Sequence, residues 1–193
     1  ATYLDNLLPP GYRGRGVVKH YHSTMSTSYQ QDTHDEFTKP DGICKILVST
    51  AAESTGIDHP DVEIVCIAGL PSDITDLIQR GGRAVRQIAA DGLCVIFHEK
   101  WACSVDPADY GLDVMNPITI DSIDFHSDID RPRKKPLTLY SPPQDRASLA
   151  CVLITKRLFC KRLFFSKCLG DTSKDGMLTI FIIPCNLLLN PNS

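Results

Sequence analysis

Three short, almost unbroken apolar runs constrain this chain more than any other feature. They lie at residues 44–49 (CKILVS), 62–68 (VEIVCIA) and 93–98 (LCVIFH). Runs of that length suit strands covered on both faces, because a strand with one face in water alternates apolar and polar residues. Between the second and third runs, Ser72 or Asp73 is placed to cap a helix with Ile74, Leu77 and Ile78 on one face, ending near Gly81 and Gly82. Ahead of the first, residues 17–21 form a β-branched run suited to a strand. Ser26 or Thr27 caps a polar helix through YQQDTHDEF, which Pro40-Asp41-Gly42 ends. Strands and helices alternating at this spacing predict a layered α/β domain with a largely parallel sheet, closing near Trp101.

A chain of 193 residues has room for one such domain and an appendage. Residues 1–103 form the domain. From residue 104 to 142 the pattern dissolves into Asp, Pro and isolated Ile, which reads as an irregular acidic linker. Residues 143–176 read as a helical segment, and residues 177–193 as a divergent apolar tail. The opening ATYLDNLLPP reads as the end of a helix stopped by Pro9 and Pro10, so the chain is expected to start inside a domain.

Net charge is −3, which does not mark a nucleic-acid binder, but the sum hides a division. Residues 104–130 carry seven acids and no Lys or Arg, whereas residues 131–167 carry ten Lys or Arg against the single acid Asp145. Two solvated surfaces of opposite sign, or a basic segment that meets phosphate, both fit. The eight cysteines form no disulfide framework, since Cys44, Cys66 and Cys94 each sit in an apolar run. A reducing, intracellular setting is expected. The apolar run at 177–189 is too short to span a bilayer and contains Pro184, so no membrane role is expected.

Two loops carry the candidate chemistry, and both follow buried runs, where open α/β sheets gather ligands. The first passes Ser49, Thr50, Gly56 and Asp58. The second is Gln79-Arg80-Gly81-Gly82-Arg83-Ala84-Val85-Arg86. Guanidiniums at Arg83 and Arg86, three residues apart, suit the oxygens of a triphosphate, and an arginine on a transferring phosphoryl group stabilises charge that develops during transfer. A basic, glycine-containing helix end that complements the helix dipole is the plainer alternative.

Taken in order, TGID, PDVEIV, GLP and QRGGRAVR resemble motifs V and VI of the RecQ-like ATP-dependent DNA helicase family. YLDNLLPP and YHSTMS upstream resemble the same family's second RecA-like lobe, and the likeness covers roughly residues 1–103. RLFCKRLFFSKCLGD is similar, more thinly, to the start of the family's zinc-binding region. The resemblance implies a RecA-like fold in a nuclear, 3′–5′ DNA helicase engaged in repair or recombination. It implies that Gly56 and Asp58 approach the nucleotide ribose, that Gln79, Arg83 and Arg86 face the phosphates, and that Ser49 and Thr50 lie near DNA. ATP and Mg²⁺ would be held mainly by a first RecA-like lobe, with single-stranded and forked DNA as partners.

The chain departs from the family at Ala51, at Ser54-Thr55 and at Val85, and it contains no G-x-x-x-x-G-K-[ST] phosphate loop. This chain alone is therefore expected to be inactive. His34-Asp35-Glu36-Phe37 faintly suggests an acidic helicase motif but falls in a polar helix and reads as surface. His20, His22 and His98 have no clustered partners and read as structural. Cys160 matches the family's first zinc ligand, yet only Cys168 and Cys185 follow, one fewer than a four-ligand site requires. The rival expectation is a non-catalytic remnant or truncated gene product that at most binds nucleic acid through residues 131–167, and a third is another two-lobe motor acting on RNA.

Overall fold

A computed structural model describes residues 1–50, 62–84, 92–112, 119–126, 133, 136–156, 160–170 and 179–184. The chain divides into two compact units, residues 1–61 and 62–193.

In the first unit, α1 (Thr2–Leu7) stops where Leu8 turns extended ahead of Pro9. The Gly14 amide donates to the Asp5 carboxylate at 2.9 Å and the Arg13 Nε to the Leu8 carbonyl at 2.6 Å, folding the next loop back on the helix. Strand β1 (Val18–Tyr21) pairs in parallel with β2 (Ile46–Ser49), Val18 opposite Ile46 and Tyr21 opposite Ser49. A parallel pair needs a crossover, and α2 (Thr27–Thr38) supplies it. Ser26 is its N-cap: the hydroxyl accepts from the Tyr29 amide. Beyond α2 the chain passes so close to the helix that a Cβ on Gly42 would lie 1.9 Å from the Glu36 carbonyl oxygen. The Ile43 amide then donates to the Glu36 carboxylate at 3.1 Å, which holds that carboxyl below its ordinary range.

The second unit has a three-stranded parallel sheet ordered β3–β4–β5, with β3 at Ile64–Ala68, β4 at Leu93–His98 and β5 at Thr179–Pro184. Helix α3 (Ile74–Gly81) crosses from β3 to β4. Cys94, Val95 and Ile96 of the central strand are all buried, so both faces of β4 are covered. One cover is α6 (Leu149–Thr155), every residue of which is buried. Ile74 and Leu77 of α3 join the same core.

The parallel α/β architecture agrees with the expectation, and the differences are local. Strands β2 and β3 are not covered on both faces: Ile46 and Ile64 are 38% and 56% exposed. A continuous apolar run does not distinguish a central strand from an edge strand, and β3 lies at an edge of its sheet. The stretch read as a linker places Val105, Tyr110 and Ile123 in the core, and the Tyr110 hydroxyl donates to the Ala147 carbonyl at 2.9 Å. Arg133 reaches both Asp109 and the buried Asp145, cross-linking that stretch to the helical segment. The segment is not one helix but α5 (Pro143–Arg146), α6 and α7 (Lys161–Leu169). The Ala147–Ser148 break frees the Ser148 hydroxyl to cap α6, while its amide donates to the Ser72 carbonyl at 2.7 Å. The tail does not stay apart either, for β5 extends the sheet along β4.

Candidate nucleotide and nucleic-acid site

The second candidate loop begins on α3. Asp73 caps the helix through its carboxylate, which accepts from the Asp76 amide at 2.7 Å. Asp76 in turn receives a two-pronged bond from Arg80, at 2.6 Å from Nε and 2.5 Å from Nη2. Arg80 is thereby committed to its own helix. Gly82 closes the helix, its amide donating to the Ile78 carbonyl at 2.7 Å, and a Cβ there would lie 3.1 Å from that oxygen. The Arg83 and Ala84 amides bond back three residues, to Arg80 and Gly81, so the path tightens past the glycines. Ala84 is buried, which anchors the turn and fixes where Arg83, half-buried, emerges. Gln79 is exposed on the last turn, four residues before Arg83.

Ser49 and Thr50 sit at the carboxyl end of β2, both exposed, with the Thr50 amide donating to the Tyr21 carbonyl at 3.4 Å. They belong to the first unit, and Gln79 and Arg83 to the second. Gly56, Asp58 and Arg86, with the departures at Ala51, Ser54, Thr55 and Val85, fall outside the described residues. What the structure brings together is therefore Gln79 and Arg83 at one helix end. An amide and a guanidinium are suitable donors for phosphate oxygens. No phosphate cradle accompanies them among the described residues, so ATP and Mg²⁺ would need further groups.

The other sequence candidates take structural places. His34 to Phe37 lie within α2, where Glu36 fastens the following loop. The His20 ring stacks on His22, at 5.8 Å between centroids, and packs against Tyr29. His98 is buried at the end of β4, with Nδ1 3.1 Å from the Glu99 carbonyl. Burial pushes the Cys44, Cys66 and Cys94 thiols up, Cys94 to about 11, so none is poised as a thiolate. Cys160 is exposed at the start of α7, Cys168 is half-buried and Cys185 falls outside the described residues. Among the described residues no three His, Cys, Asp or Glu side chains gather to hold a metal.

Charge alone gave no account of the basic stretch. The Lys156 ammonium donates to the Cys103 carbonyl at 2.5 Å, at the end of the short helix α4 (Lys100–Ser104). Lys161 donates to the Ile154 carbonyl near the end of α6. Both lysines complement helix carboxyl ends, and Arg133 is held by two aspartates. The spacing of Lys156 and Lys161 after an apolar run was the only sequence signal for this use.

Residues 11–87 match the model of the helicase conserved C-terminal domain. The chain is 38% identical over 84 residues to the DEAD-box ATP-dependent RNA helicase 26 of Oryza sativa subsp. japonica, a match covering 44% of this chain and 15% of that protein. It is 35% identical over 95 residues to the putative ATP-dependent DNA helicase Q1 of Caenorhabditis briggsae, covering 47% of this chain and 14% of the relative. It is 32% identical over 78 residues to the ATP-dependent DNA helicase Q4 of Mus musculus, covering 40% and 6%. The matched stretch is thus a small fraction of each relative's length. Several DEAD-box RNA helicases match at 38–39% identity, above both of these DNA helicases, so the likeness reaches the helicases broadly and does not single out the RecQ type.

Proposed function

We propose that residues 1–103 serve as the second motor lobe of an ATP-dependent helicase, supplying the arginine-bearing half of its nucleotide site. The observation that carries this reading is the match over residues 11–87, which takes in the sequence QRGGRAVR with Gln79, Arg83 and Arg86 up to its last residue. In this reading Gln79, Arg83 and Arg86 meet the phosphates, Gly56 and Asp58 the ribose, and Ser49 and Thr50 the nucleic-acid backbone. Bound nucleotide and Mg²⁺ supply the phosphoryl group and neutralise its charge, and they are held mainly by another lobe. The chain by itself does not hydrolyse ATP.

The finer reading is a RecQ-type motor that moves 3′–5′ on single-stranded and forked DNA in the nucleus. The motif order supports it, as does the likeness to relatives named as DNA helicases. A second reading, a motor acting on RNA, is favoured by the DEAD-box relatives at 38% identity. A non-catalytic remnant is the reading to beat.

The test pairs the chain with a separately supplied first lobe and measures ATP hydrolysis with DNA, with RNA and with neither. Stimulated hydrolysis that falls about 10³-fold or more in Arg83→Ala or Arg86→Ala supports the motor. Hydrolysis indifferent to both substitutions sinks it. The nucleic acid that stimulates decides between the two finer readings, and a tagged chain followed by microscopy tests the nuclear location.

A further inference from the structure

Residues 138–141 form a turn that is more firmly built than an idle surface loop requires. The Ser141 amide donates to the Thr138 carbonyl at 3.1 Å, and the Thr138 amide donates to the Ser141 hydroxyl at 2.7 Å. Arg146, at the end of α5, then spans the turn from outside. Its Nε donates to the Ser141 carbonyl at 2.9 Å, and its Nη2 to the Thr138 and Leu139 carbonyls at 2.7 and 3.0 Å. One guanidinium thus holds three of the four carbonyls of the turn and its flank, and none of these bonds uses Nη1.

The two residues at the tip, Leu139 and Tyr140, are 85% and 90% exposed. A single exposed apolar side chain needs no explanation. An aromatic ring held out on an ordered turn, with a guanidinium among the backbone carbonyls beneath it, is a different arrangement. The ring offers a flat face to stack on, and fixing the turn beforehand lowers the entropy cost of ordering it on binding.

Charge selects the occupant. The neighbouring acid, Asp145, is buried against Arg133 and adds no free negative charge at the surface. Arg146 is exposed, so the turn carries a cation at the surface. An aromatic face beside a cation suits a base with its phosphate, and repels a basic peptide.

We propose that this turn is a stacking platform for single-stranded nucleic acid, in which Tyr140 takes the face of a base and Arg146 Nη1 takes the adjoining phosphate. The platform deepens the motor reading but sits outside residues 11–87, so the two stand or fall separately.

The experiment measures binding of the full chain to a fluorescein-labelled oligothymidylate and an oligouridylate by polarisation, over a series of salt concentrations. Tyr140→Ala is expected to weaken binding roughly 5- to 100-fold and Tyr140→Phe by no more than about 2-fold, the size of one lost base stack. Arg146→Ala is expected to weaken binding and to lower the salt slope by about one. Tyr3→Ala, at a tyrosine 74% exposed in the other unit, is the control and is expected to bind as the unaltered chain does. Tyr140 and Tyr3 are too exposed for either change to unfold the chain. The proposal is overturned if Tyr140→Ala binds as tightly as the unaltered chain, if Tyr3→Ala loses as much, or if the unaltered chain binds neither oligomer. Loss in Tyr140→Ala with no stimulated ATP hydrolysis leaves the platform standing and the motor fallen, and the converse result does the opposite.

Discussion

The two units bury their side chains in different ways. In the first, Val18 and Cys44 are the buried apolar side chains among the described residues, and the backbone fits closely around Gly42 instead. In the second, α6 is enclosed on all sides and gathers α3, β4, Tyr110, Ile123 and Phe164 into one core. Much of that core lies beyond residue 87, outside the stretch by which the helicase domain is recognised. The motif segment at the end of α3 is therefore recognisable from chemistry that its own residues carry, but is held in place by Leu149 to Ile154, which carry no motif. The lesson is that a signature and its scaffold need not come from the same stretch of sequence.

Breaking α6 should have the largest effect. Leu153→Ala is expected to cost about 2–5 kcal/mol, because it removes a side chain enclosed by the core and leaves a cavity. Denaturant unfolding would show it, and a cost below about 1 kcal/mol would mean that α6 is not the centre of the unit. Arg133→Met comes next, at about 2–4 kcal/mol, since it removes the guanidinium that faces the buried Asp145 carboxylate. Replacing both residues together should cost less than Arg133→Met alone.

The first unit should respond to crowding rather than to truncation. Gly42→Ala is expected to cost about 1–3 kcal/mol, because the added methyl would press into the Glu36 carbonyl and the loop must move. Loss of helicity at the carboxyl end of α2, followed by hydrogen exchange, would confirm the cause.

Alkali should act most on the second unit. Burial raises the Tyr110 hydroxyl to about 12 and the Cys94 thiol to about 11. Both groups are neutral when protonated, so the folded state keeps their protons longer than the unfolded chain does. Stability is then fully present below about pH 9 and is lost as pH rises through 11 and 12, with Tyr110 contributing on the order of 1 kcal/mol of the loss at pH 11. Unfolding curves at pH 8 and pH 11 should differ, and Tyr110→Phe should narrow the difference.

The smallest effect has the opposite sign. Thr33 is fully buried, and its hydroxyl has no hydrogen-bond partner among the described residues. Thr33→Val keeps the shape and removes the unpaired group, so a gain of about 1 kcal/mol in thermal unfolding is expected. A loss would mean that water reaches the hydroxyl.

Helix α3 and strand β4 were legible because period and capping agree there: Asp73, Ile74 and Leu77 state both the start of the helix and its buried face. The exposure of β2 and β3 was not legible, since CKILVS and VEIVCIA do not say how many neighbours a strand has. Tyr110 and Ile123 were hidden because they enter the core singly, from 3-10 turns and bends with no repeating period. In the candidate site, the positions of Gln79 and Arg83 at the end of α3 were readable from the helix signal. The commitment of Arg80 to Asp76 was also encoded, as an acid four residues before a base, but the QRGGRAVR pattern draws attention to the arginines alone.

Strand β5 has a further consequence, in time. Its hydrogen bonds join Thr179 to the neighbourhood of Leu93, so the β4 edge must wait until residues about 85 positions further along have been synthesised before it is paired. Until then an apolar edge stands open, and long-range parallel pairing closes slowly. Folding of this chain should therefore be slow in its last step and sensitive to concentration. A chain shortened before residue 179 should show that sensitivity as aggregation rather than as a lower melting temperature.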